Sequence, residues 1–279
     1  MYQLKSGSKF LNLENPIVMG IVNVTPDSFS DGGQFSLFQH ACEHADQMVA
    51  HGAVFIDIGG ESTRPGAAEV SIDEELNRVI PLIEYVAENH DVWISIDTSK
   101  PDVMKAAVNA GANLINDVRA LQELGALEMA AKLDVPVCIM HMQGQPCSMQ
   151  ASPEYSDVVA DVQMFFKARI HACLNAGIKR ENIILDPGFG FGKTLSHNYE
   201  LLNRLNEFQI FDLPILIGLS RKSMMGDLLH RGVSERLAGS LAGVLLAAQR
   251  GANIFRVHDV CQTLDVLKVM AATDHYQNI

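Results

Sequence analysis

The sequence is poor in the patterns that build metal-thiolate or redox sites. Its five cysteines are odd in number and widely spaced, and none forms a CxxC pair. Structural zinc sites and disulfide frameworks use characteristic cysteine or histidine spacings, so this spacing argues against both. The ten histidines contain no HExxH motif either. We interpret the cysteines as core or surface thiols of a reducing compartment.

Long apolar runs and an excess of positive charge are also lacking. No run approaches the roughly 20 residues that a membrane-spanning helix needs. The first ten residues lack the charged and then apolar pattern of a signal peptide. We therefore expect a cytoplasmic protein with no membrane partner. Lys plus Arg number 21 against 33 Asp plus Glu, a formal net charge of −12. This balance argues against a nucleic-acid partner, because such binding needs clustered cations to neutralise phosphates.

What the sequence has instead is a regular alternation of short apolar runs with longer amphipathic segments. Most runs are continuously apolar, as is typical of parallel strands covered on both faces. Eight such runs alternating with helices indicate a parallel β/α fold. Periodicity by itself does not separate a closed barrel from an open, doubly wound sheet. No linker divides the 279 residues, so we predict a single domain over 1–279. The runs are 17–22, 54–58, 92–96, 113–115, 135–140, 182–185, 214–217 and 253–257.

Several helix boundaries can be read from capping residues. Ser71 begins a capping-box pattern ahead of apolar residues at helical spacing. Pro101 and Gly111 mark the start and the end of the next helix. Further helices are predicted over 152–177 and 260–272.

Polar residues follow directly after most of the apolar runs. Asp97, Asn116 and Asp186 each end a run. In β/α barrels the catalytic groups come from the carboxyl ends of several strands, so we expect these ends to converge on one polar pocket. Asp, Asn and Ser are also common in loops and caps, which suffices to explain Ser99 and Asp259. A carboxylate or amide that ends an apolar run is less well explained as a cap.

Four cations are expected at the same end of the strands. They come from three distant loops and suit an anionic group such as a phosphate or pyrophosphate. A protein-caged metal is not expected, but a Mg²⁺ carried by a pyrophosphate needs only one or two protein oxygens. Lys193 is either a fifth cation of this set or a solvated charge, and it is left out of the set for that reason. The glycine-rich run before it is not a P-loop, because Pro187 occupies the required first glycine position. The four cations are Arg64, Lys222, Arg256 and His258.

Long stretches of the sequence resemble the dihydropteroate synthase family. Residues 23–33 (NVTPDSFSDGG) and 57–66 (DIGGESTRPG) look like the two signature loops of that family. Six shorter motifs follow in the family's order: DTS at 97–99, ND at 116–117, MHM at 140–142, DPGFGFGK at 186–193, GLSRKS at 218–223 and RVH at 256–258. The resemblance implies a (β/α)8 TIM barrel, with the active site at the carboxyl ends of the strands, and generally a homodimer. It also implies a transferase of folate biosynthesis that condenses 6-hydroxymethyl-7,8-dihydropterin pyrophosphate with p-aminobenzoate, giving 7,8-dihydropteroate and pyrophosphate.

The resemblance also assigns roles to individual residues. The expected pterin ligands are Asp97, Asn116, Met140, Asp186 and Lys222. The expected pyrophosphate ligands are Asn23, Arg64, Arg256 and His258, with Asn23 also contacting Mg²⁺. The p-aminobenzoate side, where sulfonamides compete in this family, is expected to include Phe29, Thr63, Pro65, Phe189 and Ser223. The expected catalytic residues are Asp97, Lys222, Arg256 and His258.

The chemistry expected of this set is a dissociative, SN1-like displacement of pyrophosphate. Three alternatives stay open: a pterin-binding methyltransferase that uses methyltetrahydrofolate, a non-catalytic pterin-binding paralogue, and an aldolase-like barrel with Lys222 as a Schiff-base lysine. The last is disfavoured because the Ser-Arg-Lys-Ser sequence offers no apolar surroundings that would lower the lysine pKa. The helices expected over 235–250 and 260–272 have an apolar face suited either to a dimer interface or to the outer ring of a barrel.

Overall fold

Ten strands are found in the computed structural model of the chain, which describes residues 2–25, 34–62, 69–144, 149 and 153–274. Eight of them form one parallel sheet. The first two are β1 (Gln3–Ser6) and β2 (Lys9–Asn12). The others are β3 (Ile17–Asn23), β4 (Phe55–Gly59), β5 (Trp93–Asp97), β6 (Leu114–Asp117), β7 (Val137–Met140), β8 (Ile183–Asp186), β9 (Leu216–Ile217) and β10 (Ile254–Val257).

The parallel sheet closes on itself. Its strand order is β8-β7-β6-β5-β4-β3-β10-β9, and a parallel bridge between Leu185 and Ile215 joins the two ends of that order. At this seam the backbone N–H of Leu185 donates to the carbonyl oxygen of Pro214 over 2.9 Å. The structure thereby confirms the expected (β/α)8 barrel, and it decides the choice between barrel and open sheet that periodicity left open.

Nine helices are described, and they surround the barrel. Outward-facing strand residues pack against them in one large apolar core. The helices are α1 (Gln34–Ala50), α2 (Ile72–Asn89), α3 (Pro101–Ala110), α4 (Ala126–Leu133), α5 (Val158–Asn175), α6 (Leu195–Asn203), α7 (Ser223–Leu229), α8 (Leu237–Ala248) and α9 (Val260–Asp274). Within the described part of the chain, none of them is long and apolar enough to cross a membrane.

Most helix boundaries agree with the capping residues in the sequence. The Ser71 hydroxyl accepts a hydrogen bond from the Glu74 backbone N–H over 3.2 Å, which confirms the predicted cap of α2. Helix α3 begins at Pro101 and is followed by Gly111, as predicted. The predicted start of α5 near residue 152 is wrong. The helix begins at Val158, where the side chain of Asp157 accepts hydrogen bonds from two backbone N–H groups of the first turn.

The sequence patterns did not predict the antiparallel hairpin of β1 and β2. Its Leu4 side chain is fully buried, and with Leu13 it packs on the inward-facing residues at the amino ends of the barrel strands. Those residues are Met19, Phe55, Trp93, Leu114, Cys138, Ile184, Leu216 and Ile254. The hairpin therefore closes the floor of the barrel, and any ligand has to enter at the carboxyl ends.

Candidate active site

The interior of the barrel changes from apolar to polar along its axis. Side chains alternate along a strand, so every second residue of β4 faces inward. From the floor upward these are Phe55, Asp57 and Gly59, and β5 places Ser95 and Asp97 in register with the last two. The floor residue Phe55 is therefore followed directly by the charged Asp57, and charged side chains continue to the carboxyl ends of the strands.

Four neighbouring strands contribute to one row of residues at that end. Asn23, Gly59, Asp97 and Asn116 are successive register partners from β3 to β6. A Cβ atom at Gly59 would lie 3.4 Å from the Asp97 Cβ and 3.5 Å from the Asn23 Oδ1. Because glycine has no side chain, an open space remains at this position, and the Asn23 amide and the Asp97 carboxylate both border it.

Arg256 reaches two of the buried carboxylates from β10. Its Nε donates to Asp57 Oδ2 over 2.6 Å, and its Nη2 donates to Asp97 Oδ2 over 2.7 Å. Burial by itself would lower the pKa of Arg256, but the two carboxylates raise it above its usual value. These two bonds use two of the five guanidinium N–H donors. Arg256 therefore stays charged and is held in a fixed plane.

The pKa of the Asp97 carboxyl group is strongly perturbed by its surroundings. Burial raises the pKa of Asp97 to about 7, and the Arg256 guanidinium opposes that shift by lowering it. The nearby Asp57 carboxylate raises the pKa further. A carboxyl group poised in this way is negatively charged only near and above neutral pH, a property that is common in functional sites.

Asp186 and Lys222 influence each other electrostatically at the opening, from the end of β8 and from the loop that follows the neighbouring β9. Burial raises the pKa of Asp186, and the Lys222 ammonium opposes the rise. Burial lowers the pKa of Lys222 to about 8, and the Asp186 carboxylate opposes that shift. The sequence-based expectation that nothing would lower the pKa of this lysine is therefore wrong. Asp186 Oδ1 also accepts a hydrogen bond from the Gly188 backbone N–H over 2.8 Å. Lys222 donates to the Phe189 carbonyl oxygen and lies 4.4 Å from the ring centroid of Phe191.

The structure corrects one aromatic assignment in the glycine-rich loop. The Phe189 side chain is 0% exposed and belongs to the core between strands and helices. A ring buried there cannot line a ligand pocket, so the prediction for Phe189 is wrong. Phe191, two residues further along the loop, is partly exposed and lies beside Lys222. Its ring, and not that of Phe189, is therefore the aromatic side chain that is accessible at the opening.

Lys193 is not a solvated charge, which was one of the two alternatives that the sequence left open. It is 3% exposed, and its Nζ donates to the carbonyl oxygens of Gly188, Phe191 and His141 over 2.8, 3.0 and 3.3 Å. Nζ also lies 3.0 Å from His141 Nδ1. Three glycines of this loop have positive φ: Gly188 at 71°, Gly190 at 80° and Gly192 at 62°. The lysine therefore fastens the glycine-rich loop to the end of β7.

Of the other predicted residues, His258, Met140 and Ser223 lie in the described part of the chain, at the same end of the barrel. The His258 ring is fixed by Ser220, whose Oγ lies 2.9 Å from Nδ1 and accepts from the His258 backbone N–H over 3.2 Å. Met140 is buried at the end of β7, in register with Asp186. Ser223 is exposed at the first residue of α7. Phe29, Thr63, Arg64 and Pro65 lie outside the described residues.

Asp57 is the buried site residue that the sequence patterns did not select. It lies within an apolar run, and a carboxylate inside such a run was the signal that could have identified it. Metal-binding side chains are not clustered: among the described residues, no three His, Cys, Asp or Glu could hold a metal ion.

Comparison with known proteins first defines the class. Residues 19–258 of this chain match the model of the family described as "Pterin binding enzyme". The protein is therefore a pterin-binding barrel enzyme.

Individual similar proteins then identify one family within this class. The chain is 58% identical to dihydropteroate synthase of Escherichia coli (strain K12), over 94% of this chain and 93% of that protein. Its fold is similar to Yersinia pestis dihydropteroate synthase in a sulfonamide drug complex, with a TM-score of 0.94, 54% identity and coverage of 98% and 99% of the two chains. It is also similar to the Xanthomonas albilineans enzyme with 4-aminobenzoic acid, with a TM-score of 0.93, 49% identity and 98% coverage of both chains. The chain belongs to the dihydropteroate synthases, a family of transferases, which decides against the methyltransferase and aldolase alternatives.

Proposed function

We propose that this protein condenses 6-hydroxymethyl-7,8-dihydropterin pyrophosphate with p-aminobenzoate to give 7,8-dihydropteroate and pyrophosphate in folate biosynthesis. The observation that carries the proposal is the convergence of Asp97, Asn116, Asp186, Lys222 and Arg256 on one opening at the carboxyl ends of the strands. The family supports it as well, since relatives carry sulfonamide and 4-aminobenzoic acid in their structures.

The pterin ring suits the donor and acceptor pattern of the buried groups. Its amino-pyrimidinone edge presents two N–H donors, which one carboxylate such as that of Asp186 can accept side by side. Lys222, paired with Asp186, can donate to the neighbouring carbonyl oxygen of the ring. The ring edge that carries N1 and N8 then lies toward Asn116 on β6 and its register partner Asp97 on β5. Met140 contributes an apolar surface next to Asp186.

Departure of pyrophosphate requires stabilisation of growing negative charge, which fixed cations supply. Arg256 lies on β10 and His258 directly follows that strand, and Arg64 joins them in this proposal. The Asn23 amide oxygen borders the open space at Gly59, so it fits a Mg²⁺ that takes most of its ligands from phosphate and water oxygens. A bound Mg²⁺ would neutralise charge on the pyrophosphate.

The substitution is SN1-like in this proposal. The C–O bond to pyrophosphate breaks first, and its electron pair leaves with the pyrophosphate. The exocyclic carbon becomes cationic and is stabilised by the electron-rich dihydropterin ring, with the Asp97 carboxylate close to that ring. The neutral amine nitrogen of p-aminobenzoate then forms the C–N bond and loses a proton to solvent. A weakly basic aromatic amine needs no strong protein base for this step.

The arylamine is expected at the outer rim of the opening. Phe191 offers an aromatic face beside Lys222, and Ser223 offers a hydroxyl at the start of α7. Phe29, Thr63 and Pro65 complete this side in the proposal. Sulfonamides, which resemble p-aminobenzoate, would compete for the same surface.

The anion site is tested by the substitution Arg256→Ala. Removing one preorganised charge-stabilising group typically lowers the rate about 10²-fold or more. Pyrophosphate release would be measured from the dihydropterin pyrophosphate with and without p-aminobenzoate. The matched control is Arg231→Ala, whose side chain is 58% exposed and pairs with Glu235 at the surface. Equal activity of the two variants would contradict the assignment of Arg256.

The order of bond breaking is tested separately. Crystals soaked with dihydropterin pyrophosphate and Mg²⁺, without an arylamine, should show cleaved pyrophosphate and a trapped pterin cation. Persistently intact substrate under these conditions would rule out the SN1-like order while leaving the overall reaction unaffected.

A cytoplasmic homodimer is part of the proposal. Exposed apolar side chains on α8 and α9, Leu246 and Val269, support a partner on that side. Light scattering of the purified protein tests the dimer, and a Val269→Glu variant should shift the mass toward the monomer.

A further inference from the structure

We propose that Asp57 is a positioning residue that makes the site select the dihydro form of the pterin over the oxidised form. This inference rests on the proposed function, because it concerns the pterin that the site would bind. It assigns a role to a side chain that does not itself need to contact the ligand.

Asp57 is the hub of the buried hydrogen-bond network. It is 0% exposed, and three side chains from three other strands donate to it. Ser95 Oγ donates to Oδ1 over 2.6 Å, and Arg256 Nε donates to Oδ2 over 2.6 Å. Asn116 Nδ2 lies 3.4 and 3.5 Å from the two oxygens. A carboxylate so far from water is costly unless it is fully hydrogen-bonded, and such networks hold their members in one arrangement.

The contact with Asp57 decides the orientation of the Asn116 amide. An amide has one acceptor end and one donor end with two N–H groups. The NH2 end of the Asn116 amide faces the Asp57 carboxylate, so one of its N–H groups donates there. The flipped amide would place the Asn116 carbonyl oxygen against a carboxylate oxygen, which is unfavourable. Asn116 therefore presents one N–H and its carbonyl oxygen to a ligand in a fixed order.

That order matches one oxidation state of the pterin. With the amino-pyrimidinone edge at Asp186, the ring nitrogens N1 and N8 lie toward Asn116. In a 7,8-dihydropterin N1 is an acceptor and N8 carries a hydrogen, so the pair complements one N–H and one carbonyl oxygen. In a fully oxidised pterin both nitrogens have lone pairs. The Asn116 carbonyl oxygen then faces the N8 lone pair, and no hydrogen bond can form between these two acceptors. An unmatched buried polar contact of this kind discriminates strongly between ligands.

Binding of two probes tests the proposal. Calorimetry would give the Kd of 6-hydroxymethyl-7,8-dihydropterin and of 6-hydroxymethylpterin for the intact protein. The natural protein is expected to bind the dihydro form about tenfold or more tightly. In Asp57→Asn the Asn116 amide is no longer held in one orientation, so affinity for the dihydro form should fall. Affinity for the oxidised form should change little, and the two Kd values should come within about twofold.

A merely structural Asp57 would give a different result. Both Kd values would then rise by the same factor in Asp57→Asn, and the ratio would stay as in the natural protein, which overturns the proposal. The matched control Asp134→Asn removes a surface carboxylate that pairs with Lys179, and it should keep the ratio. If Asp57→Asn does not fold, Ser95→Ala replaces it. Without the Ser95 hydroxyl, the Asp57 carboxylate is held less firmly and orients the Asn116 amide less well, so the ratio should fall partly. An unchanged ratio in Ser95→Ala would also overturn the proposal.

Failure of the proposed function would be visible separately. A natural protein that binds neither pterin overturns both the function and this inference, whereas equal binding of both pterins by the natural protein overturns the inference alone.

Discussion

Replacing Lys193 with methionine should destabilise this protein, even though the side chain is buried and methionine is similar in length. In the native protein Nζ donates to three carbonyl oxygens, those of Gly188, Phe191 and His141. Methionine cannot donate a hydrogen bond, so these oxygens and His141 Nδ1 would lose their buried partner. The loop that carries Phe191 would then be less firmly attached to the end of β7.

The size of the effect follows from opposing contributions. A hydrogen bond to a charged group contributes about 1.5–3 kcal/mol, and a buried group left unsatisfied costs about 1–3 kcal/mol. Burial lowers the pKa of Lys193 well below its usual value, which shows that the charged amine is poorly solvated in the folded protein. Removing this amine therefore relieves a desolvation cost and offsets part of the loss. We expect a net loss of about 3 kcal/mol in the free energy of unfolding. For a chain of this size that lowers the Tm by about 6–12 °C, at about 2–4 °C per kcal/mol.

Thermal unfolding followed by circular dichroism would measure this loss. The matched control is Lys179→Met, because Lys179 is half exposed and pairs with Asp134 at the surface. Exposed pairs contribute about 0–1 kcal/mol, so the control should melt within about 4 °C of the natural protein. Equal Tm values for the two variants would show that Lys193 is not needed to hold the glycine-rich loop against the end of β7.

Two further predictions concern pH and the glycine-rich loop. The value of kcat/KM should fall below about pH 7, where Asp97 becomes protonated, and above about pH 8, where Lys222 loses its proton. Lys222→Arg should remove the alkaline limb, whereas a flat profile between pH 6 and 9 would contradict both roles. Gly188→Ala should destabilise strongly, since its Cβ would lie 1.9 Å from the His141 carbonyl oxygen. Gly177→Ala, with similar φ but no atom within 4 Å, should lose only about 1–2 kcal/mol in the same melting assay.

The path of the backbone could be predicted well from local patterns. Each of the eight apolar runs overlaps a barrel strand, and Ser71 and Pro101 start their helices where the capping rules place them. Local rules failed where several signals competed. Asp157 rather than Ser152 begins α5, because its side chain binds the free N–H groups of the first turn. The hairpin that contains Leu4 could not be predicted from local spacing, because its burial depends on residues of all eight barrel strands.

The sequence by itself determined the order of strands and helices, the polar residues at the strand ends and, through its motifs, the family. Those features are local, since they depend on residue spacing along one segment. The tertiary structure decided what surrounds each side chain. Arg256 meets Asp57 across 199 residues of chain, and Lys193 is buried by carbonyl oxygens from two loops. Burial of Phe189 likewise depends on packing between strands and helices, which no local spacing encodes.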